Sequence, residues 1–190
     1  MPTHKQHSPL GSWVEKAALA GIAAAAFVAL KRRTPRVRPD DARSPSAQIR
    51  ALDARGFHRL CVAYYQSRQF RLRNERSRGD VHDAVLYFGS LPHPVAVLRI
   101  LGGARGPVDV DAIHEVAAIM ARNGVTKGMV HARDGYTDAA VRYAAANHIR
   151  LVSGQDLARN IAAMPEPARA AMQRLLRAGA TTVVSKDTVY

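Results

Sequence analysis

The sequence has few of the residues that form disulfide bonds or build a metal or cofactor site. Cys61 is its only cysteine, which excludes an intramolecular disulfide and a zinc site built from several cysteines. The stretch Gly102–Gly106 lacks the following Lys and Ser or Thr of a phosphate-binding loop, and no serine nucleophile elbow is present. The basic segments contain no evident aromatic platform on which single-stranded nucleic acid could stack.

Acidic residues are also scarce. The chain of 190 residues carries 28 Lys and Arg against 15 Asp and Glu, a net charge of +13, and its pI is near 10.8. The excess is +5 in residues 1–43 and +8 in residues 44–190, so it is not confined to a tail. A basic folded domain attracts polyanions, of which nucleic acid is the usual one. We therefore expect DNA as a partner; the alternative is that the arginines are merely solvated.

Only one stretch is both long and apolar. Residues 17–30 contain no charge, and eight of these fourteen residues are alanine. A helix of this length spans about 21 Å, less than the ~30 Å hydrocarbon core, and lengthening it back to Gly11 includes two charged residues. The basic cluster Lys31–Arg38 that follows would stay in the cytoplasm. We predict that Gly11–Leu30 is one helix that anchors the chain to the inner face of a bacterial cytoplasmic membrane; the alternative is an alanine-rich helix packed on protein.

Composition divides the chain into four segments. They are a hydrophobic helix with a basic flank at 1–33, a proline-containing linker at 34–45, a folded domain at 46–161, and a C-terminal helix and tail at 162–190.

Periodicity and turn signals in the folded segments predict alternating helices and strands. The first predicted elements are a helix that Ser44 caps and Gly56 interrupts, a helix at 57–67, a strand at 70–73, and a hairpin of 81–88 and 95–101. A helix capped by Asp111, a strand at 126–131, a helix capped by Thr137 and a strand at 149–152 follow. The last are a helix with a capping box at Ser153, a helix from Pro165 or Pro167 to Gly179, and a strand at 181–184. This order predicts an α/β fold with a mixed central sheet flanked by helices.

Two motifs in the second half of the domain carry a family resemblance. Tyr136-Thr137 opens a helix after a strand and a small turn, and the strand Ile149–Val152 leads into the cap Ser153–Leu157. The chain resembles Mrr-type (type IV) restriction endonuclease domains in this pattern and, less specifically, in the upstream elements. The resemblance covers residues 46–161. It implies a restriction-endonuclease-like fold and a family activity of Mg²⁺-dependent endodeoxyribonuclease.

The resemblance also implies a catalytic set. In the family, an Asp on one strand and a Gln or Glu on the next hold Mg²⁺, and a Lys two residues further on helps to activate water. Asp83 matches the Asp, but Leu98 stands at the Gln/Glu position and Ile100 at the Lys position. His58 follows Phe57 where the family tends to carry a Glu. We interpret Asp83 as a structural remnant and expect no cofactor; Mg²⁺ would bind at Asp83 only if the protein is active.

The densest basic stretch provides the candidate DNA-binding residues, because arginines can bind phosphates. They are Arg68, Arg71, Arg73, Arg76 and Arg78. Those at alternate positions of a strand share one face of it. We expect Arg71 and Arg73 to share the face of their strand that lies opposite Phe70 and Leu72. The alternative is a solvated strand edge whose charges discourage aggregation. His131, near Asp134, is the best-placed histidine for chemistry, and we interpret it as a satisfied surface residue.

Three functions follow from these observations. The leading hypothesis is a DNA-associated Mrr-type domain that is catalytically degenerate and membrane-anchored. The first alternative is an active Mg²⁺-dependent DNA endonuclease that uses Asp83 and a migrated second ligand. The second is a membrane-tethered interaction module without a nucleic-acid role. No pattern in the sequence indicates an oligomeric state.

Overall fold

The computed structural model describes residues 44–184, with side chains as far as Gly179. Six helices and five strands follow one another in this range. The helices are α1 (Pro45–Ala51), α2 (Ala54–Gln66), α3 (Val110–Arg122), α4 (Asp138–Ala146), α5 (Gly154–Ala162) and α6 (Glu166–Val184). The strands are β1 (Phe70–Arg78), β2 (Val81–Phe88), β3 (Ala96–Leu101), β4 (Gly128–Ala132) and β5 (Ile149–Val152).

The strands form one mixed sheet in the order β1-β2-β3-β4-β5. β1, β2 and β3 pair antiparallel, whereas β4 runs parallel to β3 and β5 runs parallel to β4. Parallel neighbours require a crossover connection, which α3 and α4 provide. The predicted mixed sheet flanked by helices is confirmed.

Helices cover both faces of the sheet. On the first face, called the α3 face, α3 packs against β3 and β4, and α4 packs against α3 and β5. Val97, Val116 and Val130 lie at the centre of the core on this side. On the second face, called the α2 face, α2 packs on β1 and β3 while α5 packs on β5, and α1 and α6 pack against these helices.

Most of the helices have a polar N-cap residue, whose side chain accepts a hydrogen bond from a backbone N–H group of the first turn. Ser44, Thr137 and Ser153 do so as predicted, and Ser153 forms the predicted capping box with Asp156. The prediction that Asp111 caps α3 is wrong, because Asp109 is the cap. Residues just before Asp109 are held extended by hydrogen bonds to the segment before α4, so the helix begins immediately after Asp109.

Two other predictions need correction. β1 extends to Arg78 rather than ending at residue 73, because it pairs with β2 along its length. The strand predicted at 181–184 is the end of α6. Gly179 does not stop that helix: it packs against Leu52, whose side chain would have to shift to admit a Cβ atom. The predicted anchor Gly11–Leu30 lies outside the described residues, and among residues 44–184 no helix is long and apolar enough to cross a membrane.

Candidate functional site

Asp83 on β2 pairs directly with Arg99 on β3. Directly opposed residues of antiparallel strands share a face, and these two side chains meet on the α3 face. Arg99 donates from Nε to Asp83 Oδ1 at 2.7 Å and from Nη2 to Asp83 Oδ2 at 2.8 Å. Its Nη1 donates to Glu115 Oε2 at 2.6 Å and to the carbonyl oxygen of Ala112 at 3.1 Å. Both carboxylate oxygens of Asp83 therefore accept from one guanidinium.

The three charged side chains differ in their exposure to solvent. The exposed side-chain fractions are 5% for Arg99, 18% for Asp83 and 63% for Glu115. Burial opposes the charge of Arg99, but the hydrogen bonds that Arg99 donates to Asp83 and Glu115, together with their negative charges, outweigh burial and raise the pKa of Arg99 above its ordinary value. The Asp83–Arg99 pair is thus the buried part of the cluster, and Glu115 caps it from the solvent side.

Leu98 and Ile100 point to the α2 face, away from Asp83. They are 0% and 2% exposed, and the register pairs Leu98 with Ala84 and Ile100 with His82. The sequence analysis grouped Asp83 with these two positions, and the register corrects that grouping. Alternation fixes the faces within one strand, as it did for Leu98, Arg99 and Ile100, but the pairing of two strands depends on the connection between them.

Two histidines occupy the α2 face beside Ile100. His82 stacks on His58 of α2 with ring centroids 4.0 Å apart, and His82 Nδ1 lies 2.7 Å from Ser77 Oγ. Burial, and then the neighbouring His82, lowers the pKa of His58, while Glu75 opposes the shift. The sequence analysis noted His58 as a changed family position but missed His82. The sequence held no signal for this position of His82, because its pairing with Ile100 depends on strand register.

These residues do not fit the Mg²⁺ ion that the resemblance implies. Mg²⁺ requires oxygen ligands, usually carboxylates. The α2 face offers His58 and His82 beside apolar Leu98 and Ile100, and the α3 face offers Asp83 with both oxygens bound to Arg99. Within the part of the chain that the structure describes, no group of three or more His, Cys, Asp and Glu side chains could hold a metal ion.

A cleft of about 540 Å³ opens over the Asp83–Arg99 pair on the α3 face, between the first three strands and α3. Charged side chains dominate its lining: Glu75, Arg76, Arg78, Asp83, Arg99, Glu115 and Arg122. Arg76 and Arg78, on β1, were predicted from their clustering in the sequence. Arg122 was missed, because it belongs to a different element and only the packing of α3 brings it to the same cleft.

The five arginines of the basic stretch have different surroundings. Arg68 precedes β1, and its guanidinium carbon lies 5.4 Å from the centroid of the Tyr64 ring. Arg71 donates to the Leu91 carbonyl oxygen at 3.1 Å and lies over Tyr87. Arg73, Arg76 and Arg78 are exposed, and in residues 44–184 their side chains make no hydrogen bond or ion pair. As expected, Arg71 and Arg73 lie opposite Phe70 and Leu72, which face α2.

His131 is fully buried, which corrects its interpretation as a surface residue. Tyr65 Oη lies 2.7 Å from His131 Nε2, and Cys61 Sγ lies 3.7 Å from His131 Nδ1. Burial, followed by the charge of Arg150, lowers the pKa of His131 to about 3. Asp134 does not bind this ring; it accepts from Gly106 N at 3.0 Å. The sequence could not show this because the partners of His131 come from α2.

The mixed sheet with helices on both faces defines an α/β domain, and a cleft lined by charged side chains opens on one of those faces. Residues 49–161 match the family model Mrr_cat, which is described as "Restriction endonuclease". The match covers more than half of the chain, and the chain belongs to this family. The predicted identity as an Mrr-type restriction-endonuclease-like domain is therefore confirmed.

Two solved structures are similar to the chain. "DNA modification-dependent restriction endonuclease AspBHI" matches with a TM-score of 0.45 and 16% identity, over 77% of this chain and 44% of that one. "MspJI Restriction Endonuclease in Complex with 27-mer Oligonucleotide" matches with a TM-score of 0.38 and 17% identity, over 95% of this chain and 39% of that one. The chain therefore spans less than half the length of either protein. No curated protein matches it.

Proposed function

We propose that this protein is a DNA-associated member of the Mrr restriction endonuclease family that has lost nuclease chemistry. The observation that carries the proposal is the bidentate bond of Arg99 to Asp83, which uses both oxygens of the carboxylate that matches the family's metal-binding Asp. Displacing Arg99 to admit a metal would deprive a buried guanidinium of its bidentate partner and leave Glu115 as its only charged partner among the described residues, which is unfavourable.

The residues on the opposite face support the same proposal. Leu98 and Ile100 are apolar and buried, so they can neither bind a metal nor assist proton transfer. DNA association is supported by family membership and by the net charge of +13.

Incubation of supercoiled plasmid with the full-length protein and Mg²⁺ or Mn²⁺ tests the loss of cleavage. We expect no nicked or linear product at protein concentrations that bind the plasmid. Cleavage that disappears in an Asp83→Ala variant, but persists in a Glu166→Ala variant on α6, would overturn the proposal and establish an active endonuclease.

Filter binding to duplex DNA across a salt series tests the association. The logarithm of the affinity should fall linearly with the logarithm of salt concentration, because bound arginines release counterions from phosphates. A flat dependence, or no binding, would favour an interaction module without a nucleic-acid role. The membrane anchor at Gly11–Leu30 is part of the proposal on sequence evidence alone, and its test is given in the Discussion.

A further inference from the structure

All four arginines of β1 face the α3 side of the sheet, although their positions in the sequence indicate two sides. Arg71 and Arg73 are separated from Arg76 and Arg78 by an odd number of positions, so uninterrupted alternation would send the two pairs to opposite faces. The register shows instead that they oppose four residues of β2 which themselves alternate: Tyr87, Val85, Asp83 and Val81. Residues paired in this way lie on the same face.

A β-bulge produces this arrangement. The register shifts between Arg73 and Arg76, where β1 uses one residue more than β2. Asn74, inside the shift, has a φ of 52°, in the left-handed region that Asn tolerates better than most residues. The extra residue restores the side-chain direction, so that Arg76 and Arg78 continue the row that Arg71 and Arg73 begin.

The resulting row is long and positively charged. At about 3.3 Å per residue it extends over roughly 20 Å, the axial rise of about six phosphates on one strand of a duplex. Arg122, at the end of α3, adds an exposed cation to the cleft beside the row, and among residues 44–184 its side chain has no hydrogen bond or ion pair. The acidic groups in the cleft are Glu75, Asp83 and Glu115, of which the last two share Arg99. The four arginines that line the cleft therefore exceed its three carboxylates by one, and Arg71 and Arg73 of the row add to this excess.

We infer that the arginine row and Arg122 together bind the sugar-phosphate backbone of duplex DNA on the α3 face. An extended row suits an extended polyanion better than a compact phosphate group. Among the four β2 residues that pair with the row, Tyr87 is the only aromatic one, and Arg71 lies over its ring. The row therefore offers charged contacts to phosphates rather than an aromatic surface for bases. The DNA then lies on the opposite side of the sheet from Leu98 and Ile100. This inference rests on the proposed DNA association and specifies where it occurs.

Two charge-matched variants of the full chain test the location. The first replaces Arg73, Arg76 and Arg78 by Gln. The second replaces three exposed arginines outside the row, Arg55 and Arg59 on α2 and Arg142 on α4, and removes the same charge. We expect the first variant to bind a duplex of random sequence roughly tenfold more weakly and to lose about one unit of salt slope per arginine. The second variant should bind like the parent protein.

A single substitution, Arg122→Gln, makes the test specific to the folded cleft. Arg122 is distant from β1 in the sequence and joins Arg76 only through the folded cleft. We expect Arg122→Gln to weaken DNA binding as much as Arg76→Gln does. Thermal melting should stay unchanged, because Arg122 is exposed. If the parent protein binds DNA but only the α2 and α4 substitutions weaken it, or if Arg122→Gln has no effect, the inference fails while the proposed function stands. If the parent protein binds only vesicles containing anionic lipid and no duplex, both fail.

Discussion

At the scale of single residues, the Asp83–Arg99 ion pair should be important to stability. Asp83→Ala leaves a 4%-exposed arginine with only the solvent-side Glu115 as a charged partner. We expect the free energy of unfolding to fall by about 3 kcal/mol, the usual result of breaking a buried ion pair. Urea unfolding followed by circular dichroism measures this change.

Two further variants distinguish a structural pair from a retained metal ligand. Asp83→Val combined with Arg99→Met should recover most of the stability, because apolar replacement of both partners removes the unpaired charge. Glu115→Gln should cost less than about 1 kcal/mol, since that carboxylate is largely solvated. A negligible loss in Asp83→Ala would show that the pair does not stabilise the fold.

His131 should make stability depend on pH. Its pKa is about 3 in the folded protein, below the ordinary value of 6.5. Because the ring stays neutral when folded, the unfolded chain alone gains a proton as the pH falls below 6.5. The contribution of His131 to the free energy of unfolding is therefore complete above pH 6.5 and decreases by about 1.4 kcal/mol per pH unit toward pH 3.

Comparison of variants isolates this contribution from that of the carboxylates. In His131→Gln, the slope of unfolding free energy against pH between 6 and 4 should be smaller than in the parent protein. His93→Gln, which changes an exposed histidine, should leave the slope unaltered. Equal slopes in all three proteins would contradict the buried neutral state of His131.

At the scale of elements, the bulge in β1 depends on a residue that accepts a positive φ. Asn74→Gly should preserve the bulge, because glycine adopts this conformation without steric cost. Asn74→Val should lower the free energy of unfolding by about 1–2 kcal/mol, since the left-handed region is much less favourable for a β-branched residue than for Asn. Thermal melting of both variants provides the measurement, and identical melting temperatures would refute the role given to Asn74.

At the scale of the whole molecule, the open question concerns the first segment of the chain. Gly11–Leu30 lies outside the described residues, 44–184. We expect full-length protein to sediment with membranes on cell fractionation. A chain lacking residues 1–33 should be recovered in the soluble fraction, fold cooperatively and retain DNA affinity. Full-length protein recovered in the soluble fraction without detergent would mean that the segment packs on protein.

The elements and the family could be recognised from the sequence because their signals are local. The β-rich run Val81–Phe88, the turn and cap around Thr137, and the Ser153 capping box each lie within a few neighbouring residues, and the structure contains all three. The Tyr136-Thr137 and Ile149–Leu157 motifs were sufficient to indicate the family for the same reason.

The arrangement of the site was decided by tertiary structure. Alternation fixes which neighbours within a strand share a face, so Leu98 and Ile100 lie on one face of β3 and Arg99 lies on the other. It cannot fix which residue of the next strand lies opposite, because register is set by the connection between strands and by bulges. The pairing of Asp83 with Arg99 and the common face of the β1 arginines follow from register. The placement of Arg122 beside them follows from the packing of α3 on the sheet.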